Sequence, residues 1–157
     1  MSISSILTEK ETSKSEKLPE EVKQCAPVPC DRSRILLVDD EAGILQLFQV
    51  ILSSAFRGCK VETAENGADA VAAFDRGHHA VILMDLHMPV MDGQTAFAKI
   101  EEVCSMKNWE MPAVIFCTGF APPDTVAKIV EEDSTHGLIL KPVSTETLVR
   151  AVASRLK

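Results

Sequence analysis

From Arg34 onward, apolar residues fall along the chain in two alternating rhythms. Ile35-Leu36-Leu37-Val38 is a short unbroken apolar run, the pattern of a strand covered on both faces. Ile44, Leu47, Phe48 and Ile51 then recur at helical spacing, with Leu45 and Leu52 widening the stripe. Lys60 to Ala64 reads as a second strand, closed by the turn pair Asn66-Gly67. Ala70, Val71 and Phe74 mark a helix ending near Gly77, and Val81 to Met84 form a third strand. Gly93 to Met106 is helical, with Phe97 and Ile100 inward, and Ala113 to Cys117 is a fourth strand. Pro122-Pro123 open a short helix over Asp124 to Asp133, since proline is tolerated where a helix starts. Leu138-Ile139-Leu140 is a fifth strand, and Ser144 caps a last helix carrying Leu148, Val149, Val152 and Leu156.

Strand–helix alternation of this kind implies a parallel sheet with helices on both faces. Right-handed crossovers reduce the topologies to a doubly wound sheet. The expected fold is therefore α/β, a doubly wound five-stranded parallel sheet over residues 32–157. Residues 1–31 differ: they are rich in Ser, Lys and Glu and end in Cys25-Ala26-Pro27-Val28-Pro29-Cys30. They read as a flexible N-terminal tail. Ile3, Ile6 and Leu7 would make one helical turn, so the rival reading is a docking segment that orders on a partner.

Composition narrows the class. Of 157 residues, 46% are apolar and 25% charged, ordinary for a globular protein. The net charge of -7 argues against a nucleic-acid surface, which shows a basic patch. No run approaches the ~18 apolar residues of a membrane span, and the N-terminus lacks a signal-peptide pattern. The expected location is cytoplasmic, and the five cysteines read as reduced thiols.

In a doubly wound sheet, ligands bind outside the carboxyl ends of the strands. Strand one ends in Asp39-Asp40, strand three in Asp85, strand four in Thr118, and strand five in Lys141-Pro142. Two carboxylates about 4 Å apart repel by roughly 4 kcal/mol at an effective dielectric near 20. A hard divalent cation such as Mg²⁺, which takes carboxylate and phosphate oxygens, resolves that conflict. Lys141 suits a phosphoryl oxygen as a point charge, Thr118 donates to another, and a carboxylate is a competent phosphoryl acceptor.

These residues, with Met84-Asp85-Leu86-His87-Met88-Pro89-Val90-Met91-Asp92-Gly93 and Thr118-Gly119, resemble a response-regulator receiver domain. This is the phospho-accepting, flavodoxin-like (βα)5 module of two-component signalling. The likeness covers Arg34 to about Leu156. It implies that Asp85 is phosphorylated and that Asp40 and Asp85 ligate Mg²⁺. His87 would add its backbone carbonyl, Asp39 would act through a metal-bound water, and Thr118 and Lys141 would bind phosphoryl oxygens. It implies a sensor histidine kinase as donor and a protein target met through Asp124 to Lys157. It also implies a signalling switch rather than an enzyme. The last helix reaches the chain end, so a single-domain regulator is expected. A relay to a histidine phosphotransfer protein and a phosphorylation-independent binding module are the alternatives. A haloacid-dehalogenase-type phosphatase would place its nucleophile in a D-x-D motif after the first strand, unlike the order here.

The family often carries an aromatic residue three positions before the lysine, where this chain has Leu138. The signal is then expected to be read from the loop Gly119-Phe120-Ala121-Pro122-Pro123 and the fourth helix rather than from an aromatic swing. Phe120 and His87 are expected to flank the phosphoryl group. Cys25 and Cys30 lack the further ligands of a zinc site, and Cys117 reads as a core residue. His78-His79 read as a solvated turn, His136 as exposed, and Trp109 as a packing lid.

Overall fold

A computed structural model describes residues 26–156. The larger part of the expected tail, Cys25 included, lies outside the described residues. The elements run β1 (Asp31–Val38), α1 (Ala42–Ala55), β2 (Lys60–Ala64), α2 (Gly67–Gly77), β3 (His79–Met84), α3 (Gly93–Lys107), β4 (Ala113–Thr118), α4 (Asp124–Glu132), β5 (Gly137–Leu140) and α5 (Thr145–Ala153). The five strands are parallel, in the order β2-β1-β3-β4-β5. This is the doubly wound sheet that the alternation predicts.

Why the strands are continuously apolar follows from the two-residue period of side chains. Leu36, Val38, Ile82, Met84, Val114 and Phe116 pack on one face with Phe74, Phe97, Ile100 and Val126 of α2, α3 and α4. Ile35, Leu37, Val81, Leu83, Ile115 and Cys117 pack on the other with Leu45, Phe48, Leu52, Leu148 and Val152 of α1 and α5. Three helices start on side-chain caps that satisfy otherwise orphaned donors. Asn66 accepts from the Asp69 N–H, Asp92 from Thr95 and Ser144 from Thr147.

Several expectations are corrected. Leu47, placed on the buried stripe of α1, is 56% exposed. It stands about 200° around the helix from Leu45, and Leu45, Phe48 and Leu52 already fill the inner face. The first strand starts at Asp31 and the third at His79, earlier than their apolar runs. Leu156 lies past the end of α5.

The histidines read as exposed are buried. His78 ends α2 in the left-handed region, its ring stacked on Trp109 at 4.1 Å. His79, fully buried, bonds Glu62 through Nε2. His136 accepts the Val114 N–H on Nδ1 at 3.0 Å, capping the sheet where β5 has not yet begun. In each case a ring nitrogen meets a specific polar partner, which a sequence does not display. Ahead of β1, Val28 pairs with Trp109 and Cys30 is buried. The fold therefore includes residues on the tail side of residue 31.

Candidate functional site

The crevice opens where the carboxyl ends of β1, β3, β4 and β5 meet. It holds about 270 Å³ and is lined by Asp40, Glu41, Asp85, His87, Gly119, Phe120 and Lys141. Adjacent strands in register deliver the acids: Val38 pairs with Met84, so the residues that follow each emerge side by side. The Asp85 N–H extends that pairing by donating to the Val38 carbonyl at 3.0 Å.

Carboxylate oxygens of Asp39, Asp40 and Asp85 all lie within 4.8 Å of one another. Asp39 and Asp85 are buried, while Asp40 is exposed at the mouth. Asp39 is oriented by the Glu41 N–H on Oδ1 at 2.9 Å and by Lys141 Nζ on Oδ2 at 2.7 Å. Lys141 Nζ also reaches Asp85 Oδ2 at 3.5 Å, and the His87 N–H reaches Asp85 Oδ1 at 3.3 Å. Thr118 is fully buried, and its Oγ1 accepts the Phe120 N–H at 3.3 Å. The Phe120 ring stands edge-on to His87 at 5.2 Å, so the two rings flank the mouth.

The charges do not balance. Burial raises the Asp85 carboxyl above its ordinary range; Lys141 pulls it down and Asp39 pushes it up again. Burial pulls Lys141 down, but the hydrogen bond and charge of Asp39, with the charge of Asp85, more than offset this and leave it raised. One ammonium thus serves two buried carboxylates, and a third carboxylate stands at the rim. An all-oxygen donor set with surplus negative charge is what a hard divalent cation takes, so the residues present fit Mg²⁺.

The turn after Asp85 is set by close backbone approach. A Cβ on Gly93 would run into the Asp85 carbonyl oxygen, and one on Gly67 into that of Met91. The Gly67 N–H instead donates to Met91 at 3.0 Å, pinning the loop to the start of α2. Val90 in this loop has φ 71°, the left-handed region that a β-branched residue avoids.

Of the residues singled out at the strand ends, Asp39, Asp40, Asp85 and Lys141 converge here, and Thr118 ends β4 just before the lining residues Gly119 and Phe120; His87, named by the family likeness, reaches Asp85 through its N–H. Glu41 was missed as a lining residue. The signal lay in its place directly after the acid pair, at the head of a helix it does not cap with its side chain. Leu138 stands half-buried against the α3 side of the core, with no aromatic ring at that position.

Comparison with known proteins agrees with this geometry. Residues 35–153 match the response regulator receiver domain. The chain is 33% identical over 125 residues to the transcriptional regulatory protein GlrR of Escherichia coli, covering 80% of this chain. It spans only about a quarter of that relative's length (26%). It is 28% identical to the chemotaxis protein CheY of Halobacterium salinarum, covering 78% of this chain and 96% of the relative. The solved structure of Vibrio cholerae CheY4 superposes with a TM-score of 0.63 at 28% identity, covering 78% of this chain and 98% of that one. With the acid triad, the lysine and the threonine on the strand ends of a 2-1-3-4-5 sheet, the chain belongs to the response regulator receiver domain family.

Proposed function

We propose that this chain is a phosphorylation switch whose acceptor is Asp85. The observation that carries the reading is the setting of Asp85: buried, unbalanced in charge, and at the wall of an open crevice with Lys141 Nζ at 3.5 Å. Asp40, Asp85 and the His87 backbone carbonyl would hold Mg²⁺, with Asp39 acting through a bound water. The ion supplies charge neutralisation at the oxygens of the transferring phosphoryl group.

An Asp85 carboxylate oxygen attacks the phosphorus of a phosphohistidine on a sensor histidine kinase. The O–P bond forms as the N–P bond breaks, and the imidazole leaves with its electron pair and takes a proton from solvent. Lys141, now bonded to Asp39 at 2.7 Å, turns to a phosphoryl oxygen, and the Thr118 hydroxyl donates to another. Thr118 Oγ1 also holds the Phe120 N–H, so its movement pulls on the loop from Gly119 to Pro123. That loop leads into α4, and the region Asp124 to Lys157 is the surface read by a protein target. The chain is a switch rather than a turnover catalyst, because the group it processes is its own acyl phosphate. The setting assigned to it is the cytoplasm, where histidine kinases present their phosphoryl groups.

The test is intact mass after incubation with phosphoramidate, a small N–P donor, in Mg²⁺ or in EDTA. A gain of one phosphoryl group in Mg²⁺, absent in EDTA and in Asp85→Asn, is the expected result. An equal gain in Asp85→Asn would overturn the assignment.

A further inference from the structure

Helix α4 is the most lightly held helix of the fold. Val126 is its one fully buried residue, while Ile129 and Val130 are half-buried. It starts on Pro123 without a side-chain cap. Between α3 and α4 lies a groove of about 530 Å³, lined by Asp92, Gln94, Thr95, Phe97, Ala98, Glu101 and Ile129. The two helices are therefore not close-packed, and α4 has space beside it. At the head of the groove one hydrogen bond spans the gap: Gln94 Nε2 donates to Thr125 Oγ1 at 2.7 Å.

Both ends of this bond are tied to the acceptor site. Gln94 follows Gly93, whose N–H donates to the Leu86 carbonyl at 3.0 Å, one residue after Asp85. Thr125 stands at the start of α4, at the end of the loop whose Phe120 N–H is held by Thr118. A pull on that loop reaches Thr125 before any other side chain that joins α4 to α3.

We propose that the Gln94–Thr125 hydrogen bond is a latch that holds α4 in its resting place and opposes the switched state. This rests on the phosphorylation reading above and names the element that regulates it. Cutting the latch removes a contact of the resting state only, so the switched state becomes more populated and binds its ligand more tightly. A neutral, exposed hydrogen bond is worth less than a tenfold change in an equilibrium, so the effect is about threefold.

The experiment is titration of the full chain with beryllofluoride in Mg²⁺, followed through the backbone amides of α4 by NMR. Gln94→Ala and Thr125→Val are each expected to tighten apparent binding about threefold. The double variant should be no tighter than either alone, and Thr125→Ser, which keeps the hydroxyl, should match the parent. Before beryllofluoride is added, the Val126 to Ile129 amides of the single variants should lie displaced along the line joining the parent's free and bound positions. A purely structural loss would move them off that line. Unchanged or weaker binding in both single variants overturns the latch and leaves the acceptor reading standing. A parent chain that takes up no beryllofluoride overturns both.

Discussion

Replacing Asp85 by Asn tests the cost of burying its carboxylate directly, and the sign is set by the geometry. Carboxylate oxygens within 4.8 Å repel by about 3 kcal/mol per buried pair at an effective dielectric near 20. Lys141, 3.5 Å from Asp85, returns about 5 kcal/mol on the same scale. The exposed Asp40 adds a smaller, screened repulsion. The Coulomb terms of Asp85 thus nearly cancel, and its burial, with 10% of the side chain exposed, decides the outcome. The amide keeps the shape and can still accept from the His87 N–H. Asp85→Asn is therefore expected to stabilise the metal-free fold by about 1 kcal/mol, a rise in Tm of about 2–5 °C. The assay is thermal unfolding by circular dichroism at pH 7.5 and low salt, in EDTA and in Mg²⁺. Mg²⁺ at ten times its Kd should stabilise the parent by about 1.4 kcal/mol, and the variant should lose most of that gain. A variant that unfolds at or below the parent's temperature in EDTA would refute the reasoning.

Other outcomes follow from single sites. Val90→Gly relieves a positive φ on a residue 83% exposed, and should stabilise the fold by about 1 kcal/mol in urea titrations despite the added chain freedom. Burial holds His136 below the ordinary histidine range, Asp133 working against this and Arg155 with it. Its neutral Nδ1 is needed by the Val114 N–H. Because the folded value lies below the unfolded one, this contribution is complete above the unfolded value, near 6.5, and falls as pH drops below it. His79, lowered chiefly by burial, adds in the same direction. His136→Asn, whose Oδ1 accepts the same N–H without titrating, should flatten the fall in Tm between pH 7.5 and 5.5. The Phe120 ring stands edge-on to His87 at the mouth of the crevice; on the proposed reading it stands in the way of a hydrolytic water, and Phe120→Ala should shorten the phosphoryl lifetime, followed by the decay of the mass-shifted species. An unchanged decay would remove that role.

The fold was legible because its two core faces leave a simple trace. Strands covered on both sides read as unbroken apolar runs, and five of them alternate with helical stripes. The acidic crevice was legible for the same reason: once the strands were placed, Asp39, Asp40, Asp85, Thr118 and Lys141 stood at their carboxyl ends. What stayed hidden depends on partners distant in sequence. His79 is buried because Glu62 on β2 meets its ring, and His136 because the Val114 N–H at the start of β4 needs an acceptor. Leu47 shares the spacing of its buried neighbours but points away from them, and periodicity alone does not say which edge of a wide stripe is covered. The Gln94–Thr125 bridge joins residues 31 apart on two helices, and no local pattern announces it.

The most direct test of the central claim is a crystal structure of the chain with Mg²⁺ and beryllofluoride. Density for beryllofluoride on an Asp85 carboxylate oxygen is expected, with Thr118 Oγ1 and Lys141 Nζ on its fluorines. The metal should lie between Asp40, Asp85 and the His87 carbonyl. Beryllofluoride bound to Asp39 or Asp40 instead, or Lys141 still paired to Asp39 with Asp85 bare, would contradict the assignment.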